Sequence, residues 1–141
     1  MKLTVLAVGK LKDAWLEDGA ADFAKRVKAR LPLEIVEARD EASLIAKLPA
    51  RSELWALDEL GDQLSSEELA GRIGERMRQG AHGLAFAIGG ADGHTEALLG
   101  RARYRWSLGR LTLPHRLARV VLLEQLYRAL TIVRGEPYHR S

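Results

Sequence analysis

The sequence predicts an α/β fold, a mostly parallel sheet with helices on both faces. Three observations lead there. Short apolar runs alternate with stretches of helical periodicity along the whole chain. Runs such as Leu84-Ala85-Phe86-Ala87-Ile88 are apolar without alternation, as strands buried on both faces are. No internal repeat, low-complexity tract or linker interrupts the 141 residues, so residues 1–141 are expected to form a single domain with a full core.

The elements follow in order. Lys2 to Gly9 reads as a buried strand that ends at a glycine. Asp13 should cap a helix through about Leu31, with Trp15, Leu16, Ala20, Phe23, Ala24 and Val27 as its apolar set, and Pro32 ends it. Leu33 to Ala38 is a second strand, Asp40 to Leu48 a short helix, and Ser52 to Asp58 a third strand. Glu59 to Leu64 reads as a polar loop around Gly61. Ser65 and Glu68 have the spacing of a capping box for a helix to Gln79. Leu84 to Ile88 is a fourth strand, followed at once by Gly89-Gly90-Ala91-Asp92-Gly93. Thr95 to Arg101 is a short helix, and Arg103 to Leu108 alternates like a fifth strand. A glycine-containing loop then runs into Pro114, which suits the first turn of a helix. That helix continues to about Arg134 and stops at Gly135 and Pro137. It is apolar on nearly every side, which suggests that a partner subunit covers one face.

Composition narrows the function classes. There is no cysteine, so disulfides and thiolate metal sites are excluded. The start of the chain lacks the apolar core of a signal peptide, and Arg119, Glu124 and Arg128 interrupt the longest apolar run, so a cytoplasmic protein without a membrane span is expected. The net charge of +3 is unevenly spread. Residues 1–100 hold 13 Lys+Arg and 17 Asp+Glu, whereas residues 101–141 hold nine arginines, no lysine and two glutamates. Arginine forks onto phosphate oxygens and stacks on bases, so this end suits RNA. An arginine-rich composition combined with compensation of a helix dipole accounts for it equally well.

In a parallel sheet, ligands bind beyond the carboxyl ends of the strands. Three such ends carry unusual residues: Leu57-Asp58, the loop from Gly89 to Gly93, and Ser107-Leu108-Gly109-Arg110-Leu111. Glycine-bearing loops leave room for a flat ligand and expose backbone groups to it, although glycine also occurs in ordinary turns. The dinucleotide pattern G-x-G-x-x-G, the phosphate-loop pattern, metal-ligand spacings and the G-x-S-x-G elbow are all missing. His115 sits at the first turn of the last helix, where it serves either as a proton acceptor or as a capping or surface residue. Glu124 and Arg128 have the favourable i,i+4 order of an ion pair. Tyr138-His139-Arg140 offers stacking, proton transfer and a cation in three consecutive residues, given a surface on which to dock.

Leu111-Thr112-Leu113-Pro114-His115, Glu124-Gln125-Leu126-Tyr127-Arg128-Ala129 and Pro137-Tyr138-His139 resemble the signature of the RlmH family, the ribosomal large-subunit methyltransferases H, which are small knotted SPOUT methyltransferases. The resemblance runs from Met1 to the tail and is strongest after Ile88. It implies a C-terminal trefoil knot and S-adenosyl-L-methionine held at Leu57, Gly90 and the loop Gly109, Arg110, Leu111, Thr112, Leu113, Pro114. It also implies an antiparallel homodimer built on the last helix and no metal. The implied reaction is methylation of N3 of a pseudouridine in large-subunit RNA, with the assembled ribosome as substrate. For that chemistry the expected proton acceptor is His115, then His139. Arg140, with Arg119 as a further candidate, would stabilise the developing imidate, and Tyr138 would stack on the flipped base. Two alternatives stay open: a non-catalytic dimer that binds ribosomal RNA, and a methyltransferase for another RNA such as tRNA. The sequence departs from the family at Ala91, where a proline is usual. Its loss loosens the first glycine loop while keeping all three glycines.

Overall fold

In the computed structural model the backbone is described for residues 1–140 and the side chains for residues 1–138. Five strands, β1 (Lys2–Val8), β2 (Leu33–Ala38), β3 (Ser52–Gln63), β4 (Gly83–Ile88) and β5 (Tyr104–Ser107), form one sheet in the order β2-β1-β4-β3-β5. Every pairing is parallel. The helices are α1 (Ala14–Lys28), α2 (Glu41–Ala46), α3 (Ser66–Arg78), α4 (Glu96–Arg101) and α5 (His115–Arg134), followed by a 3-10 turn at Pro137–Arg140.

The period-2 geometry of strands sorts the core onto two faces. On one, Leu3, Val5, Trp55, Leu84, Phe86 and Trp106 pack against α1, α3 and α5. On the other, Leu6, Leu54, Ala56, Ala85 and Ala87 meet Leu44 of α2 and Leu98 of α4. The small side chains there let two one-and-a-half-turn helices close the face.

Several sequence expectations change. Trp15 does not belong to the buried stripe of α1 and is 66% exposed. The stripe runs Leu16, Ala20, Ala24, Val27, and a neighbour one residue off it points about 100° away. Asp13 precedes α1 without a side-chain capping bond. The loop expected at Glu59–Leu64 is mostly strand: Leu57 and Asp62 both lie opposite Trp106, and residues 58–61 bulge out between them. Gly61 permits the return, because a Cβ there would sit 2.5 Å from the Arg105 carbonyl oxygen.

The all-round apolarity of α5 has a cause inside the chain. Its residues Ala118, Leu122, Leu123, Leu126 and Leu130 are buried, and α5 lies against both α1 and α3. Leu117, Val120 and Val121 remain half-buried. The helix stops where Gly135 takes the left-handed conformation at φ 73°. No described helix is long and apolar enough to cross a membrane.

Candidate active site

The carboxyl ends of β3, β4 and β5 open into a cavity of about 930 Å³. Each wall follows from the elements beneath it. After the wholly buried β4, Gly90 to Gly93 close a turn in which the Gly93 N–H donates to the Gly90 carbonyl at 3.0 Å, with Gly93 at φ 77°. After β5, the Ser107 hydroxyl donates to the Gly109 carbonyl at 2.9 Å and accepts from the Gly109 N–H at 3.1 Å. Gly109 sits at φ 141°, a conformation that suits glycine. The loop then passes Leu111, Thr112 and Leu113 to Pro114, whose carbonyl accepts the Ala118 N–H at 2.9 Å and starts α5. The third wall is the bulge of β3, with Asp58, Glu59 and Leu60.

Of the residues expected from the sequence, Leu57, Gly90, Gly109, Leu111, Thr112, Leu113, Pro114 and His115 line this cavity. Arg110 is on the same loop but exposed and outside the wall. Burial, then the neighbouring cations Arg116 and Arg119, push the His115 pKa below the ordinary histidine value, so its imidazole is neutral near pH 7 and free to accept a proton.

Tyr138 is elsewhere. It follows the far end of α5, a helix of 20 residues and so roughly 30 Å long at ~1.5 Å per residue. Its hydroxyl donates to Glu124 at 2.9 Å, and its ring lies 4.4 Å from the Tyr127 ring centre and under the Arg128 guanidinium. Burial, then the bond to Glu124, raise the Tyr138 pKa, so the phenol keeps its proton. The side chains of His139 and Arg140 lie outside the described residues.

The structure also changes how the arginines read. Arg119, expected near the reacting base, is 4% exposed and committed to the Glu37 carboxylate and the Gly9 carbonyl. Arg128 pairs with Glu124 at 2.8 Å, as its i,i+4 spacing predicts. Arg134 pairs with Glu136 at 3.0 Å. Acids contributed partly by the first hundred residues thus neutralise part of the C-terminal arginine excess.

Sequence reasoning missed Glu59, Leu60, His94 and Arg105 in the lining. Glu59 and Leu60 belong to the bulge that reads as a loop. Arg105 alternates outward from β5, 3.9 Å from Asp58. The partners of His94, Glu41 and the Leu57 carbonyl, are 53 and 37 residues away, beyond any local pattern.

Comparison with known proteins agrees with this geometry. The family profile described as "Predicted SPOUT methyltransferase" matches residues 1–139. A Geobacter sp. (strain M21) protein named ribosomal RNA large subunit methyltransferase H is 43% identical over 154 residues, covering all of both chains. A Deinococcus radiodurans protein of the same name is 45% identical over 147 residues, again covering both chains fully. Among solved structures, a probable methylase family protein from Haemophilus influenzae Rd KW20 superposes with a TM-score of 0.58 at 13% identity, over 97% of this chain and 69% of that one. A putative methyltransferase from Legionella pneumophila, in complex with bound SAM, gives a TM-score of 0.51 at 11% identity, over 91% of this chain and 66% of that one.

Proposed function

We propose, from the premise that this chain belongs to the SPOUT methyltransferase family, that it methylates the RNA of the large ribosomal subunit with S-adenosyl-L-methionine as donor. The observation that carries this is the cavity beyond β3, β4 and β5, walled by two glycine loops and edged by a neutral histidine. The residues present fit the cofactor. The volume of about 930 Å³ falls within the ~300–1,000 Å³ usual for small-molecule sites. Asp58, Glu59 and Asp92 outnumber Arg105 around the cavity, a balance that favours a ligand carrying sulfonium and ammonium charges. An added Cβ at Gly109 would meet nothing within 4 Å, so the backbone there is open to a ligand.

In this reading Leu57, Gly90, Gly109, Leu111, Thr112, Leu113 and Pro114 would hold the cofactor, which would supply an electrophilic methyl group. The chain's own residues align the target and move its proton. The target is N3 of a pseudouridine, whose N–H must be lost for the nitrogen to attack well. His115 accepts that proton, its ring being neutral beforehand because burial and the neighbouring cations disfavour imidazolium. Walls that align the nucleophile with the methyl group would supply several kcal/mol of the acceleration.

The reading takes residues 1–141 as one domain, with the C-terminal segment threaded as a trefoil knot, acting as an antiparallel homodimer on the ribosome in the cytoplasm. The separation of His115 from Tyr138 supports the dimer: a second, antiparallel α5 would bring the partner's tail to this chain's cavity. Tyr138 would then stack on the base and Arg140 stabilise the imidate from across the interface, with His139 the alternative to His115 as acceptor of the one N3 proton.

The test has two arms. Calorimetric titration with S-adenosyl-L-methionine is expected to give one site per chain. Incubation with unmethylated ribosomes, then mass spectrometry of the RNA, is expected to show one methyl on one pseudouridine. Absence of cofactor binding, with RNA binding intact, would overturn the enzymatic reading in favour of an RNA-binding dimer. Methylation of tRNA alone would move the target.

A further inference from the structure

Beside the cavity lies a buried acid–base pair that methyl transfer does not use. The side chains of His94 and Glu41 are 5% and 4% exposed. His94 Nδ1 is 2.6 Å from Glu41 Oε2, and His94 Nε2 is 2.8 Å from the carbonyl oxygen of Leu57. The other carboxylate oxygen of Glu41 accepts the Thr95 N–H at 2.8 Å and the Thr95 hydroxyl at 3.1 Å. Thr95 itself caps α4 by accepting from the Leu98 N–H. Two residues therefore tie together the end of β3, the first turn of α2 and the start of α4.

The donors and acceptors fix what this pair can do. A carbonyl only accepts, so Nε2 carries a hydrogen toward Leu57. A second hydrogen lies between Nδ1 and Glu41. Both ring nitrogens are occupied, so the imidazole has no capacity left for a substrate. The pair is structural, and what it structures is the cavity wall.

That wall needs support. Gly90 to Gly93 form a β-turn in which Ala91 takes the second position, where proline fits and presets φ. Alanine gives the turn no such restriction. Inside the turn there is one backbone hydrogen bond, Gly93 N–H to Gly90 carbonyl. His94, the next residue, fixes the exit of the turn to Leu57 on the neighbouring strand β3.

We propose that His94 and Glu41 are positioning residues: a buried clamp that holds the Gly89–Gly93 wall in its ligand-binding geometry and substitutes for the restriction a proline at position 91 would impose. The proposal rests on reading the cavity as the S-adenosyl-L-methionine site.

Calorimetric titration of the full-length protein with S-adenosyl-L-methionine tests it, alongside hydrogen exchange at the 91–93 amides of the ligand-free protein. Replacing His94→Leu or Glu41→Ala releases the wall, so only a fraction of molecules is competent to bind. We expect Kd to rise about tenfold, kcat at saturating cofactor to change less than about twofold, and the turn amides to exchange faster. Glu41→Gln should rescue most of the affinity lost in Glu41→Ala, because an amide accepts from Thr95 and donates to Nδ1. Adding Ala91→Pro to His94→Leu should recover most of the loss by stiffening the turn itself. Unchanged affinity in folded His94→Leu, or a loss that Ala91→Pro does not recover, overturns the clamp. If His94→Leu does not fold, the Glu41→Gln and Glu41→Ala pair decides: equal affinities overturn it. A wild-type chain that binds no cofactor would instead refute the reading of the cavity.

Discussion

Replacing Gly61→Ala tests the bulge that forms one wall of the cavity. A Cβ at this position would lie 2.5 Å from the Arg105 carbonyl oxygen, 2.6 Å from the Arg105 carbonyl carbon and 2.8 Å from the Trp106 nitrogen. All three are backbone atoms, so no side chain can swing aside. Reaching ordinary contact at ~3.5 Å requires β3 and β5 to separate by about 1 Å where Asp62 returns to Trp106. Overpacking of this kind costs about 1–3 kcal/mol. For a chain of 141 residues that corresponds to a melting point lower by roughly 3–10 °C. Gly71→Ala is the matched control: this glycine is on the exposed face of α3, an added Cβ meets nothing within 4 Å, and alanine should stabilise by ~0.5–1 kcal/mol. Differential scanning calorimetry of the two variants at equal protein concentration should move them in opposite directions. Because Glu59 and Leu60 ride on the bulge, Gly61→Ala should also weaken binding of S-adenosyl-L-methionine. A Gly61→Ala protein that melts at the wild-type temperature and binds cofactor normally would refute the close approach of β3 to β5.

Other outcomes follow from the site. His115→Ala should slow single-turnover methylation by ~100-fold or more while leaving the protein folded. The wild-type rate should stay flat through neutral pH and fall only as pH drops through a pKa below the ordinary histidine value of 6.5, since burial and the cations Arg116 and Arg119 disfavour imidazolium. A profile that breaks above that value would remove His115 as the base. Arg119→Ala strips the partner from Glu37 and from the Gly9 carbonyl; the expected cost is about 3 kcal/mol, the low end for a buried pair because Glu37 is 34% exposed, read by urea unfolding.

Much of this architecture could be read from local pattern. The capping box works as spaced, with the Glu68 N–H donating to Ser65 and the Ser65 N–H donating to Glu68. The wholly apolar run at Leu84–Ile88 is the buried central strand. Both glycine loops border the cavity, because glycine at a strand's carboxyl end marks backbone that must turn sharply there. What escaped was non-local. Asp58 to Asp62 has the composition of a turn, and only pairing with Trp106 on an edge strand makes most of it β-structure. Arg119 and Glu37 are 82 residues apart, so the arginine expected as a further candidate to stabilise the imidate is already neutralised. Ala91 reads as a loosened turn until the buried His94–Glu41 pair behind it is known.

One chain holds the parts of the proposed site at opposite ends of α5. The cavity and His115 are at its start, and the tail is turned back at its end by the bond from Tyr138 to Glu124. The Tyr138 hydroxyl reaches back along α5 only as far as Glu124, which stands roughly 14 Å of helix from His115 at ~1.5 Å per residue, so the tail of the same chain stops short of the cavity. If the tail takes part in catalysis, it acts from a second chain, and the site can be rebuilt from two defective halves. His115→Ala should be inactive, as should a chain carrying Tyr138→Ala, His139→Ala and Arg140→Ala together. Mixed and allowed to exchange subunits, half of the dimers become mixed dimers, and each pairs one intact His115 with one intact tail. Methylation of ribosomes should then recover to about a quarter of the wild-type rate, as two-fold symmetry requires. Catalysis within a single chain predicts no recovery at all, since every chain in the mixture lacks one half, and that result would remove the shared site.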